Sequence, residues 1–293
     1  MNMQLIQTVA GLRDALAPVR RSGASVGLAP TMGALHAGHG RLIELARQET
    51  GCVVVSIFVN PIQFNQKDDY ERYPRDLARD LEFCRARGVD VVFVPEISEM
   101  YPSPQRTFVE VERLTEHLCG RFRPGHFRGV ATVVMKLLNI VQPDRAYFGE
   151  KDAQQLAVIR RMVRDLDVPV EIVPVATVRE PDGLALSSRN QRLSAAERRV
   201  APALYQVLQR AGERIAAGVT DVQAVKMEAL AAIEGLPGLR VEYLEFVDPE
   251  DMQPVERIAG PVRVMAAVWV GATRLIDNVL CPLAAVTQVT EIA

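Results

Sequence analysis

Residues Cys52–Asn60 read CVVVSIFVN, with seven apolar positions out of nine. The run is too short for a helix and shows no in–out alternation. It therefore reads as a strand covered on both faces, as in a parallel sheet. The same texture recurs on either side. Upstream, SVGLA (Ser25–Ala29) is a second buried strand. A turn over Pro30–Gly38 follows it, then an amphipathic helix with Leu42, Ile43, Leu45 and Ala46 on one side. Downstream, YPRDLARDLEFCRARG (Tyr73–Gly88) sets Leu77, Leu81 and Cys84 at helical spacing, with Gly88 as a stop, and VDVVFVP (Val89–Pro95) is the next strand. A β-α-β-α-β series is thus complete by residue 95. That order predicts an α/β fold with a parallel sheet and right-handed crossovers.

The alternation continues through a helix over Gly129–Val141, a short strand Asp144–Phe148, a helix Lys151–Leu166 and an extended stretch Val168–Val178. After the turn cluster EPDG (Glu180–Gly183) the texture changes. Ser194 and Glu197 form a capping box before one long helix to about Ala217, a second helix starts near Val222, and Arg240–Asp248 and Pro261–Val270 look like strands. Two domains are expected, 1–180 and 181–293.

Composition narrows the function. The 293 residues are 48% hydrophobic and 24% charged, which suits a globular chain and not a disordered one. Lys plus Arg is 34 against 36 Asp plus Glu, so no basic excess favours nucleic acid or an anionic membrane. No apolar run reaches the roughly 18 residues of a membrane span. The start, MNMQLIQTVAGLRD, has neither a cationic leader nor an apolar core of a secretory signal. Cys52, Cys84, Cys119 and Cys281 lie far apart without a C-x-x-C pair, so reduced structural thiols and a cytoplasmic location are expected.

Five segments could carry chemistry. PTMGALHAGH (Pro30–His39) joins the first of these strands to its helix, at the edge where open α/β sheets bind ligands. Its glycines allow close approach, the N–H groups of the helix start favour an anion, and His36 and His39 can converge on phosphate oxygens. The glycine spacing fits neither a dinucleotide fingerprint nor a Walker loop. FGEKDAQQL (Phe148–Leu156) again follows a strand, and Lys151, Asp152 and Gln155 can share a helix face; an ordinary helix start with Asp152 as first-turn stabiliser remains open. ALSSRN (Ala185–Asn190) offers two hydroxyls and a guanidinium, as a phosphate clamp or a solvated loop. VNPIQFNQ (Val59–Gln66) places Asn60 and Gln63 after a strand, as substrate-reading amides or as turn chemistry around Pro61. RFRPGHFRGV (Arg121–Val130) is a basic patch that could line an anionic pocket, meet a subunit or face solvent.

Taken together and in this order, PTMGALHAGH, SIFVNPIQF, RPGHFRGV, FGEKDAQQ and LALSSRN resemble the pantoate–β-alanine ligase family over nearly the whole chain. The resemblance implies a Rossmann-like amino-terminal domain of the HxGH nucleotidyltransferase group, a smaller α+β carboxy-terminal lid and a homodimer. It implies that ATP, pantoate and β-alanine give pantothenate, AMP and pyrophosphate through a pantoyl adenylate, with Mg²⁺. Catalytic roles fall on His36, His39 (the proton donor), Lys151 and Arg189. ATP contacts fall on Met32, Gly33, Ala34, Leu35, His36, Ala37, Gly38 and His39, on Gly149, Glu150, Lys151 and Asp152, on Val178, and on Leu186, Ser187, Ser188 and Arg189. Substrate contacts fall on Gln63 and Gln155, with Asn60 beside them. No dedicated protein metal site is expected, although Asp80 could help hold the magnesium. Ala153 and Gly40 depart from the family's usual larger residues, which concerns packing more than chemistry.

Overall fold

The computed structural model describes residues 3–282, which fall into two compact units. One contains residues 3–180 together with Ala185–Gln191; the other contains Pro181–Leu184 and the chain from Arg192 onward. The Ala185–Gln191 loop, expected beyond the domain boundary, thus belongs to the first unit. Two backbone links explain this: Arg179 bridges Ala185, and Leu186 N–H donates to Val178 O at 3.0 Å.

The first unit is built on six parallel strands: β1 (Gln4–Ile6), β2 (Val26–Thr31), β3 (Cys52–Ile57), β4 (Val91–Phe93), β5 (Arg145–Gly149) and β6 (Glu171–Val175). Their spatial order is β1-β4-β3-β2-β5-β6. Every residue of β3 is buried, as its unbroken apolar run requires, and it lies in register with β2 from Val26 opposite Cys52 to Thr31 opposite Ile57. The chain winds one way from β2 through β3 to β4, then returns to the other side of β2 for β5 and β6. This reversal puts a topological switch point between β2 and β5, where the loops leaving the two strands diverge and open a crevice. β1 and the helix Val9–Arg21 extend the expected unit, with β1 pairing β4 at the sheet edge.

The helix Ala37–Glu49 buries Leu42, Ile43 and Ala46 against the sheet, as its pattern predicts. The helix His126–Val141 begins three residues earlier than expected and is apolar on most sides. It also presses on the 3-10 turn Pro61–Gln63. A Cβ placed on Gly129 would stand 2.4 Å from Ile62 O and 2.6 Å from Gln63 Cα, so this crossing admits only glycine. Gly40 has a weaker packing reason, since its neighbours are side chains. A Cβ there would stand 2.7 Å from Arg87 Nε, where the Arg87 guanidinium lies 3.6 Å from the Phe83 ring centroid.

In the second unit, β7 (Leu239–Val247), β8 (Val262–Val270) and β9 (Thr273–Cys281) form an antiparallel sheet in the order β7-β8-β9. The third strand is an addition to the two expected. The helices Ala203–Ala216 and Val222–Glu234 pack on this sheet through Leu204, Leu208, Val225 and Ile233. The Ser194–Glu197 capping box forms, but the single long helix expected after it is two: Ala195–Val200 ends before Pro202, and the next starts at Ala203. Proline lacks the N–H that a continuous helix needs.

Gly129→Ala should lower stability by about 1–3 kcal/mol, since backbone must move to admit the methyl group. A urea melt reads this, with a wild-type midpoint as the outcome that contradicts it.

Candidate functional site

A cleft opens at the carboxyl ends of β2, β3, β5 and β6, entirely within the first unit. Each strand delivers one group to it. β2 leads to Met32, His36, Gly38 and His39; β3 leads to Phe58 and Gln63; β5 leads to Gly149, Lys151, Asp152 and Gln155; β6 leads to Val178. The loop Leu186, Ser187, Ser188 and Arg189 closes another side. One wall is apolar, formed by Val130, Val133, Val134 and Leu137 of the helix after Gly125.

The turn after β2 is held from below. Gly33 N–H donates to Thr31 Oγ1 at 3.2 Å, and Ala34 and Leu35 N–H donate to the two carboxylate oxygens of Asp80 at 2.9 and 2.7 Å. Ala34 has φ of 51°, a left-handed conformation that an alanine adopts only when its surroundings impose it. Asp80 is 2% exposed, and burial pushes its carboxyl up from the ordinary value, while the Leu35 and Ala34 N–H groups pull it down. This revises two expectations. Asp80 anchors the loop, with both oxygens engaged on backbone, and does not present a ligand to magnesium. Gly33, Ala34 and Leu35 do not line the cleft either; they shape the turn, and Leu35 is buried in the core. Ala37 and Glu150 also lie outside the lining.

The helix start is closed in the same way. His36 Nδ1 accepts from Gly38 N–H at 3.1 Å, and His39 Nδ1 accepts from His36 N–H at 3.3 Å, a reciprocal capping box made of two imidazoles. The N–H groups of Gly33, Ala34, Leu35, His36 and Gly38 are therefore already donated, and the expected cradle of open backbone donors is replaced by side chains. An Nδ1 that accepts carries no proton, so each neutral ring has its hydrogen on Nε2. Burial, aided by the Lys151 charge, lowers His36 to about 4; burial, aided by His36, lowers His39 to about 3. The rings lie 4.1 Å apart between centroids. They are neutral hydrogen-bond donors near neutral pH.

After β5, Glu150–Asp152 form a 3-10 turn and the helix begins at Ala153. Asp152 stands at the N-cap position of that helix without a cap hydrogen bond, so only its charge acts on the helix start. Its carboxyl is pushed up by burial, but Lys151, Arg189, His126 and Arg123 outweigh this and hold it below the ordinary value. The cleft therefore has a net positive polar side. Lys151 Nζ stands 3.8 Å from Asp152 Oδ2.

Two residues that hold this wall escape sequence reasoning, Asp69 and Tyr73. Arg189 pairs with Asp69 at 3.0 Å, and the Tyr73 hydroxyl bonds Ser188. Neither has a spacing signal, because their partners lie more than a hundred residues away. Of the basic patch, Arg123 and His126 line the cleft. His126 Nδ1 faces the Gln63 carbonyl at 2.9 Å, so its proton is there, and Nε2 accepts from Arg123 at 3.0 Å. Burial first and the Arg123 charge second lower it to about 3.

Gln63 and Gln155 both reach the cleft. Asn60 does not. It is 1% exposed, and its amide is turned inward to Gln63 Oε1, Gly129 O and the Tyr101 hydroxyl. The expectation that Asn60 touches substrate is corrected accordingly: it supports a residue that lines the cleft.

These bonds can be probed in two ways. Asp80→Ala removes the acceptor of two buried N–H groups and should lower stability by about 2 kcal/mol while raising KM for a nucleotide; an unaltered melt and KM would contradict the anchor. Second, His36, His39 and His126 are neutral when folded but titrate near 6.5 once unfolded. Between about pH 4 and 6 the unfolded chain then binds more protons, so stability should fall as pH drops below about 6.5. Urea melts at pH 7, 6 and 5 check this, and a flat midpoint would refute it.

The geometry agrees with comparisons to known proteins. The family model described as pantoate-beta-alanine ligase matches residues 4–280. The pantothenate synthetase of Moorella thermoacetica is 53% identical over 278 residues, covering 95% of this chain and 98% of that protein. A crystal structure of pantothenate synthetase from Thermus thermophilus matches with a TM-score of 0.89 at 49% identity, over 94% of this chain and 99% of that one. A pantoate-beta-alanine ligase from Francisella tularensis, complexed with beta-gamma ATP and beta-alanine, matches with a TM-score of 0.78 at 34% identity, over 95% of this chain and 98% of that one. The chain is a member of the pantoate–β-alanine ligase family of enzymes.

Proposed function

We propose that this enzyme condenses pantoate with β-alanine at the expense of ATP, giving pantothenate, AMP and pyrophosphate. The observation that carries the reading is the meeting, in one cleft at the switch point, of two amides beside an apolar wall with a cluster of phosphate-binding groups. Pantoate is a small acid with two hydroxyls and a pair of methyl groups. Gln63 and Gln155 suit its oxygens, and Val130, Val133 and Val134 suit its methyls. The relative from Francisella tularensis, bound to a nucleotide and β-alanine, supports both co-substrates.

A carboxylate is a poor electrophile, so it must be activated before an amine can attack it. In the proposed first step a pantoate carboxylate oxygen attacks the α-phosphorus of ATP, and the bond to pyrophosphate breaks. In the second, the neutral amine of β-alanine attacks the acyl carbon, AMP leaves with the bonding pair, and the nitrogen loses a proton to solvent. This chemistry asks the protein for alignment and charge stabilisation more than for a nucleophile. His36 and His39 offer Nε2–H donors, Lys151 and Arg189 offer positive charge, and Ser187 and Ser188 offer hydroxyls. We assign the ATP contacts within this set, and leave proton donation by His39 as hydrogen-bond donation from a neutral ring.

Mg²⁺ belongs to the reading as an ion carried by the phosphates, where it would neutralise charge. Asp152 is the carboxylate among the residues that line the cleft, beside the groups proposed for the phosphates. A cytoplasmic homodimer, with the second unit as the family's lid, is proposed on the family resemblance alone. The thiols of Cys52 and Cys84 are buried, and burial pushes them up to about 11 and about 12, which leaves them unreactive.

Labelled pyrophosphate should exchange into ATP when pantoate is present and β-alanine is absent. Lys151→Ala should slow this about 10²–10³-fold with folding intact. His39→Ala should slow it similarly and, since His39 also caps a helix, should cost about 1 kcal/mol of stability. Absence of pantoate-dependent exchange in the wild type would sink the adenylate route.

A further inference from the structure

The frame around Gln63 determines which end of its amide faces the cleft. Where the turn Pro61–Gln63 abuts Gly129, the Gly129 carbonyl lies 3.1 Å from Asn60 Nδ2. A carbonyl can only accept, so that end of Asn60 is its NH₂. The same Nδ2 donates to Gln63 Oε1 at 3.1 Å. Asn60 Oδ1 must then face the opposite side, and there the Tyr101 hydroxyl donates to it at 2.8 Å. With Oε1 engaged, Gln63 shows Nε2 to the cleft, 3.0 Å from Met32 Sδ. A thioether is a weak acceptor that a ligand oxygen displaces readily. Tyr101 stands behind this relay and outside the cleft lining, with its ring 6.1 Å from that of Phe58 and Lys136 Nζ 5.5 Å from its centroid.

We propose that Tyr101 is a positioning residue for the hydroxy acid: through Asn60 it holds Gln63 with its NH₂ toward the cleft, as a fixed donor to a substrate oxygen. This rests on the reading of Gln63 as a pantoate contact. The orientation matters because an inverted Gln63 would turn a carbonyl oxygen on a carboxylate or a hydroxyl lone pair. Without the Tyr101 hydroxyl, Asn60 Oδ1 is a buried acceptor with no donor, and the amide keeps only the Gly129 carbonyl to hold it against Gln63.

The test compares Tyr101→Phe, Gln63→Ala and the double variant of the full chain by pantoate-dependent pyrophosphate exchange. In Tyr101→Phe, KM for pantoate should rise about tenfold while KM for ATP stays within about twofold. In the Gln63→Ala background the second substitution should add less than about twofold, because no amide is left to orient. An unchanged pantoate KM in Tyr101→Phe, with a raised one in Gln63→Ala, overturns the proposal and leaves the role of Gln63 standing. An unchanged KM in Gln63→Ala overturns that role and the proposal with it. Parallel rises for pantoate and ATP, or full additivity in the double variant, mark general damage and also overturn it. Should Tyr101→Phe fold poorly, ¹⁵N spectra of the wild type decide: the Gln63 side-chain NH₂ resonance should shift on adding pantoate, and a resonance that does not move refutes a donor role.

Discussion

Two backbone N–H groups, those of Ala34 and Leu35, hang from one buried carboxylate, Asp80. The turn they belong to must leave β2, reverse, and enter a helix within six residues, and Ala34 is driven into the left-handed region to do so. Such a turn would leave buried donors without partners, at a cost comparable to the energy that stabilises a whole small element. Asp80 removes that cost from the neighbouring helix. Once the turn is held, His36 and His39 lock the helix start by capping each other, and their Nε2–H groups are left for the cleft.

This arrangement changes how the anion site works. In a glycine-rich phosphate loop the backbone itself meets the phosphates. Here the backbone donors of the turn are satisfied internally, and in the proposed reaction side chains meet the phosphates instead. Side-chain donors can be carried by separate strands, so the site draws on β2, β5, β6 and the Ser187–Arg189 loop at once. Desolvation in the cleft opposes the Asp152 charge, and Lys151, Arg189 and Arg123 outweigh it and hold the carboxyl below its ordinary value. The acid's side of the cleft follows a similar logic. Gln63 is held at its backbone by His126, at its amide by Asn60 and from behind by Gly129, so its geometry does not depend on the ligand.

Much of this was legible in the sequence. An unbroken apolar run at Cys52–Asn60, repeated on both sides with helical spacing between, admits little besides a parallel sheet, because only a strand with two covered faces tolerates it. The five segments with chemical potential were visible as polar or glycine-rich stretches at strand exits, and His36, His39, Lys151, Gln63, Gln155 and Ser187–Arg189 all reach one cleft. Local chemistry determined these: period, capping residues and turn residues act over a few positions.

What the tertiary structure decided was the use of each polar group. Asn60, Asp80 and the N–H groups of the first loop looked available for ligands, and each is engaged inside the protein by a partner distant in sequence. Asp69 and Tyr73 carried no signal, because Arg189 and Ser188 come beside them only on folding. The proton positions and neutrality of the histidines came from burial and from which nitrogen meets which backbone group. A sequence lists donors and acceptors with their spacing along the chain; whether two of them meet, and which is left over for a substrate, depends on distances that exist only after the strands have paired.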